Sequence, residues 1–401
     1  MKNKIYLITE YYHENQNTTG YLLGKLYNFL NKQSEIDLVL IAKKDKFCPQ
    51  YDNAHYITSP TLDKTKLLKR FLYEVIISLK FLFEILRNVK KNNTVFTGTT
   101  PIFLLIIIFF TKKIIGFKWI LLVHDVFPEN LTAAKVIKKK SYFYKSLKYF
   151  FDKIYASAEK VIVIGHDMKE LIYSKTQLDN IHVVQNWIDY EDIKVQERSQ
   201  NKILESLNWH KTDTVVFQFF GNIGRVQGVD IICKAIQKMQ NPHLAKFIFI
   251  GDGAYVSTLK EQINKLKLDN IYYWGALDQK DKSIGLNACD VALVTLTEGM
   301  LGLGVPSKSY FTMAADKPIL AIMDKQAEVS TMVNQYNIGW TTPPDDIDAL
   351  AKKLDDIALN FNQYKLNSPR NILIKNYAEP IAMQKILKII NELHQNQGGN
   401  K

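Results

Sequence analysis

Cysteine is scarce in this 401-residue chain: Cys48, Cys233 and Cys289 lie far apart and leave one thiol unpaired under any pairing. Neither a disulfide framework nor a CxxC metal site is written here, and a reducing, cytosolic compartment fits. Long apolar runs are missing too. The most lipid-like, Ile102 to Phe110, ends after nine residues, and Lys112 and Lys113 interrupt it short of the ~20 needed to span a bilayer. Near the N-terminus, the apolar stretch Ile5 to Ile8 is shorter than the ~7 to 15 residues of a secretory signal and reads as a first β-strand. The eight histidines form no HExxH or other ligand cluster, so no protein-bound zinc is expected. Neither a Walker loop nor a dinucleotide fingerprint occurs.

What is present is a globular composition, 47% hydrophobic, in a chain long enough for two domains at ~100 to 200 residues each, with a cleft between them as the expected ligand site. The net charge of +12 is uneven: 30 basic and 20 acidic residues precede residue 201, against 22 and 20 after it. From Lys64 to Lys153 there are 18 basic and 5 acidic residues, interleaved with apolar and aromatic stretches such as LLKRFLYEVIISLKFLFEILRNVKK. Helices of this kind suit an anionic membrane surface, and equally a core-packing role with solvated basic faces. A basic stripe with aromatics also suits nucleic acid, but no recognised binding signature accompanies it, and no nucleic-acid partner is expected.

Short β-branched runs alternate with longer amphipathic ones: IYLIT, IDLVLIA, TVFTG, FKWILLVHD, KVIVIG and IHVVQN, with helices between. After the polar stretch Tyr190 to Asn208 the plan restarts with TVVFQFFG, KFIFIGDG, NIYYWG, VALVTL and KPILAIM. Strand followed by helix, repeated, predicts an α/β fold of two doubly wound parallel sheets. Ligands collect at the carboxyl ends of such strands, where loops meet helix N-termini.

Four loops there carry candidate chemistry. FFGNIGRVQG, Phe219 to Gly228, offers Gly221, Gly224 and Gly228 for a tight turn and Arg225 as a forked donor for phosphate oxygens. In GMLGLGVPSKSYFTMAADKP, Gly299 to Pro318, glycines precede Pro306, Ser307 and Lys308 at the start of a helix. A lysine in a first turn opposes the helix dipole unless an anion sits between them, and that conflict marks a site. LLVHDVFPEN delivers His124 and Asp125 to a strand end, where histidine can hydrogen-bond a sugar hydroxyl or serve structure alone. Gly20 opens the first helix and implies a tight strand-to-helix turn. Asp346 and Asp348 have the spacing of a metal-binding pair, but they precede an amphipathic run and read as helix-capping residues.

With FFGNIGRVQG, VVQNWID (Val183 to Asp189) and GLGVPSKSYFTMAADKP (Gly302 to Pro318) in order, the chain resembles the family 4 glycosyltransferases, retaining nucleotide-sugar transferases of GT-B architecture. Within that family it is most similar to bacterial enzymes that add amino sugars or related sugars during O-antigen, capsule or exopolysaccharide assembly. The resemblance implies an acceptor-side, membrane-facing domain at 1–190, a linker at 191–208, a nucleotide-sugar domain at 209–378 and a C-terminal helix, 379–401, returning to the first domain. It implies that Arg225 and Lys308 neutralise a diphosphate beside the backbone of Gly302, Leu303, Gly304, Val305 and Ser307. Gly251, Gly253, Tyr273 and Trp274 fall where the family holds nucleoside and base. His124 matches the histidine facing the transferred sugar, and Gly20 the glycine loop over the phosphates.

Departures accompany the match. The family's basic pair in the turn after Gly221 falls on Asn222 and Gln227, leaving more of that charge to Arg225. Its two glutamates in the last motif fall on Leu303 and Phe311, and Glu298, five residues before Leu303, is a candidate substitute whose role stays open. Asp316 stands where glycine is common. The implied activity is metal-independent, retaining transfer of an N-acetylamino sugar or related hexose from a UDP-sugar, with no other cofactor, to a polyprenyl-diphosphate-linked saccharide. The enzyme would be peripheral at the inner face of the cytoplasmic membrane. The alternatives are a nucleotide-sugar epimerase of the same fold and a non-catalytic basic membrane-binding protein.

Overall fold

A computed structural model describes residues 2–59, 67–224, 227–266 and 268–395. Arg225, Lys64 and the tail from residue 396 lie outside the described residues. The chain divides into two compact units, the first from Met1–Asn186 with Pro380–Lys401, the second from Trp187–Glu379.

The first unit carries seven strands: β1 Asn3–Thr9, β2 Ile36–Lys43, β3 Ala54–Ile57, β4 Thr94–Thr97, β5 Lys118–Val123, β6 Lys160–Val163 and β7 Ile181–Val183. All neighbours are parallel, in the order β3-β2-β1-β4-β5-β6-β7. The second unit has six, β8 Val215–Phe220, β9 Ala245–Ile250, β10 Ile271–Gly275, β11 Val291–Thr295, β12 Ile319–Ile322 and β13 Gly339–Thr342, in the order β10-β9-β8-β11-β12-β13. Both sheets reverse direction of growth beside their first strand, between β1 and β4 and between β8 and β11. Ligand crevices open at such points because the loops on either side diverge.

The strands form where the β-branched and aromatic runs predicted them, and continuous burial follows from helices covering both faces. The short edge strands β3 and β13 were not singled out in the sequence; edge strands need less apolar content. One face of the second sheet packs phenylalanines, with the Phe217 and Phe247 rings stacked at 5.2 Å. The opposite face buries Val216, Ile248 and Ile250 against Ile203, Leu204 and Trp209.

Those last residues fall in and beside the stretch read as a linker, and the structure assigns 191–208 to the second unit. Asn201 caps the helix Lys202–Ser206, accepting from the backbone N–H groups of Ile203 and Leu204 at 3.0 and 3.2 Å. Arg198 Nη1 meets Asp290 Oδ2 at 2.6 Å and the Thr214 carbonyl at 2.8 Å, while Nη2 donates to the Trp209 carbonyl at 2.7 Å. Polar composition suggested a tether, but three apolar side chains and one clamped guanidinium suffice to fold it down. The C-terminal helix Glu379–Gln395 lies in the first unit from Pro380 onward, where Lys118 donates to the Leu393 carbonyl at 2.7 Å and Lys160 pairs with Glu392 at 3.3 Å.

Removing one member of a shielded ion pair strands the other. Arg198→Ala is therefore expected to destabilise the protein by about 3 kcal/mol in urea unfolding, with part of the loss recovered when Asp290→Asn is added. A midpoint unchanged by Arg198→Ala would show that the clamp holds nothing.

Candidate functional site

The second unit gathers its candidate residues at the carboxyl ends of β8, β9 and β11. Gly221 leaves β8 with φ of +120°, and Gly251 leaves β9 with φ of +142°. A side chain at Gly251 would stand 1.9 Å from the Gly221 carbonyl oxygen, so only glycine lets the two turns touch. Their contact continues through Ile223 N–H to the Asp252 carbonyl, 2.8 Å, and Gly251 N–H to the Gly275 carbonyl, 2.8 Å. Gly253, with φ of +155°, lies against Ile223 in the same way. The Tyr273 hydroxyl donates to the Gly251 carbonyl at 2.9 Å, and Trp274 is half-buried beside it in sequence. A chain of backbone groups thus forms the surface that sequence reasoning assigned to the nucleoside.

Lys308 begins the helix Lys308–Ala314, and its Nζ donates to Gln227 Oε1 at 2.7 Å while lying 3.8 Å from the centroid of the Phe219 ring. Among the described residues no carboxylate forms an ion pair with it. Burial pulls its pKa down from the usual lysine value to about 7. Gln227 is itself held: the Thr295 hydroxyl at the end of β11 donates to its backbone carbonyl. The predicted pair is half described, because Arg225 lies outside the described residues. Leu303 and Val305 are buried, Gly302 turns with φ of +72°, Gly304 and Ser307 are half-buried, and Ser307 makes no capping hydrogen bond through its side chain. Asn222 and Glu298 are exposed.

Asp316 adopts φ of +57°, the left-handed region that explains the glycine common at that position. Aspartate tolerates it, and here Oδ1 accepts from the Ser368 hydroxyl at 2.7 Å and from Arg370 N–H at 3.0 Å, tying the loop after the Lys308 helix to the helix Pro369–Asn376. Asp346 Oδ1 accepts from Ala349 N–H at 2.8 Å and Asp348 pairs with Lys238 at 2.7 Å, so the two aspartates cap and flank their helix.

In the first unit, His124 follows β5. The Thr99 hydroxyl oxygen accepts from the backbone N–H groups of His124 and Asp125 at 3.3 and 3.2 Å. The imidazole Nε2 is buried with no hydrogen-bond partner among the described residues, and burial lowers the pKa to about 4, so the ring is neutral at physiological pH. Behind the loop, Phe127 N–H donates to the buried Tyr155 hydroxyl at 3.0 Å, and Lys175, inaccessible to solvent, holds Glu129 at 2.6 Å and Asp152 at 2.7 Å. Gly20 packs so tightly that a Cβ would stand 2.3 Å from the His13 carbonyl oxygen, which brings the first helix onto the loop after β1. Thr99, Thr295, Phe219 and Lys175 escaped the sequence reading. A threonine at a strand end is the one signal that could have exposed the first two.

A family model described as "Glycosyl transferases group 1" matches residues 199–372, which begins inside the segment first read as a linker. Across 97% of its length the chain is 38% identical to the Pseudomonas aeruginosa protein described as "Probable glycosyltransferase WbjE", covering 98% of that protein. The chain belongs to the group 1 glycosyl transferases. The fold of this glycosyl transferase is GT-B. Sucrose-phosphate synthase from Thermosynechococcus elongatus superposes with a TM-score of 0.76 at 13% identity over 98% of this chain and all of that one. Anabaena HepE, solved in complex with UDP-glucose, gives 0.72 at 14% identity over 97% and 99% of the two chains.

A cation given neutral company costs the folded transferase stability. Lys308→Met is expected to raise the urea midpoint at pH 7 by the equivalent of ~1 kcal/mol. Because the folded-state pKa lies below the unfolded one, the wild type recovers stability as pH rises from about 7 toward 10, and the difference between the two proteins should shrink over that range. A difference that widens with pH would contradict the assignment.

Proposed function

We propose that this glycosyl transferase moves an N-acetylamino sugar or related hexose from a UDP-sugar to a polyprenyl-diphosphate-linked saccharide, with retention of anomeric configuration, as a family 4 enzyme of cell-surface polysaccharide assembly. The observation that carries the donor half of this reading is Lys308. Its ammonium group stands at the switch point of the second sheet with an amide oxygen and an aromatic face as its polar company. An anion of high charge density is the ligand that such a cation lacks. The HepE complexes, which hold UDP and UDP-glucose in the same fold, support a nucleotide sugar as that anion.

The chemistry then follows from charge. The bond from the anomeric carbon to the diphosphate oxygen breaks, positive charge grows on the sugar and negative charge on UDP, and the acceptor hydroxyl attacks from the face the diphosphate is leaving. Lys308, joined in this role by Arg225 on the strength of the resemblance alone, stabilises the departing diphosphate more than the intact donor, which is the requirement for catalysis. This charge comes from side chains, so no metal is needed. The glycine turns at Gly221, Gly251 and Gly253, whose own N–H groups are bonded to Ile250, Gly275 and Asp252, hold the loops after β8 and β9 together as a base for phosphate and ribose, with Gln227, Tyr273 and Trp274 around them. His124, kept neutral, offers a donor or acceptor to the sugar without adding charge. Amino-sugar specificity, the lipid-linked acceptor and a position at the inner face of the cytoplasmic membrane follow from the resemblance of the motifs and from the basic helices of the first unit.

Two measurements test this reading. UDP should raise the melting temperature of the wild type and not of Lys308→Ala, and that variant should lose ~100-fold or more in kcat in the presence of EDTA, where the wild type stays active. An undiminished kcat removes Lys308 from its role, and product formed from donor alone would indicate an epimerase. Binding a diphosphate should return Lys308 to its charged form, so UDP affinity is expected to fall as pH rises above about 7, with proton uptake measurable by calorimetry in buffers of different ionisation enthalpy.

A further inference from the structure

The helix Leu67–Asn88 is apolar on two sides. Tyr73, Ile77, Phe81 and Ile85 recur every four residues and are buried against the first sheet. Leu72, Ile76, Leu79, Phe83 and Leu86 recur at intervals of four and three on the opposite side and are exposed, Phe83 by 63%. A helix that covers a sheet needs one apolar face and ordinarily turns a polar one outward. Here the outward face is as apolar as the inward one, over a helix of 22 residues.

The neighbouring helices continue the surface. The helix Ile102–Ile115 packs on Leu67–Asn88, with Phe71 and Phe103 rings 5.3 Å apart, and the helix Tyr142–Ala156 packs on it in turn through Phe109 and Phe150 at 5.9 Å. Ile114 is 77% exposed and Tyr142 90%. The three helices carry nine basic and three acidic residues. Lys69, Arg87, Lys113, Lys145 and Lys153 are exposed, and Lys113 and Lys153 each lie 4.2 Å from an aromatic ring, Phe109 and Tyr149. Of the acidic side chains, Glu84 accepts from Asn88, and Asp152 is held by Lys148 and Lys175. No described helix is long and apolar enough to cross a bilayer.

We propose that the outer surface of these three helices is a docking face for a bilayer of anionic phospholipid, with the Leu72-to-Leu86 stripe among the acyl chains and the lysines at the headgroups. Exposed apolar and aromatic side chains bordered by cations, with the nearby carboxylates engaged, match the layered chemistry of that interface. A protein partner, or a second copy of this basic chain, would have to supply a compensating acidic surface. The inference deepens the membrane half of the proposed function and rests on it, but not on the donor assignment, since vesicle binding is read without nucleotide.

Flotation of the full chain with phosphatidylcholine vesicles, and with vesicles that also contain phosphatidylglycerol, tests it. The protein should float with the second kind only, and high salt should release it. Leu79→Ser with Phe83→Ser, and separately Lys113→Glu with Lys145→Glu, should each weaken binding ~10-fold with the thermal midpoint unchanged. Absence of binding to the anionic vesicles, binding that both variants retain, or a wild-type dimer that the serine variant dissociates would each overturn the proposal.

Discussion

Lys308 is a cation that the fold surrounds with neutral groups, and the second unit is organised around making that possible. Its ammonium needs a hydrogen-bond acceptor, and Gln227 supplies one only because Thr295 holds the glutamine backbone at the end of the neighbouring strand. The turn that carries Gln227 depends on Gly221, and the position of Gly221 depends on Gly251 having no side chain. A chain of contacts through four loops ends in one lysine with a lowered pKa. Groups perturbed in this way, at a sheet's switch point, are poised to change protonation when an anion arrives.

The first unit follows another economy. The loop after β5 is fixed from behind by Thr99, Tyr155 and the ion pairs of the solvent-inaccessible Lys175, so His124 stays in place with its Nε2 unsatisfied among the described residues. An unsatisfied buried polar atom costs stability and is retained where a ligand group completes it. In both units the local misfit sits at the carboxyl edge of the sheet, and the rest of the sheet, buried strand against buried helix, supplies the rigidity that tolerates it.

Much of the architecture was legible in the chain. The alternation of β-branched and amphipathic runs announced two parallel sheets, and the glycine-rich loops picked out as candidate sites follow β8 and β11, at the carboxyl ends of their sheet. Asp346 was read as a cap from its neighbours alone, and it is one. Three things were hidden. The segment around Arg198 is polar in composition yet folds onto the sheet, because a few buried contacts outweigh average hydrophilicity. The left-handed conformation of Asp316 is invisible until Ser368 and Arg370 arrive from a distant helix. The outward stripe of the helix Leu67–Asn88 is as apolar as its inward one, and periodicity cannot tell which of two apolar faces is covered.

The sequence by itself determined most of the strands, the helices between them and which loops lie at the carboxyl edge of each sheet, since those depend on side-chain period and on glycine's freedom, both local properties. Only the tertiary structure decided that Lys308 would meet Gln227, 81 residues away, with no carboxylate paired to it among the described residues, and that one apolar helix face would remain uncovered. Those outcomes depend on the order in which strands pair and on which surfaces the helices exclude from water, and neither quantity is written in any window of the chain shorter than the domain itself.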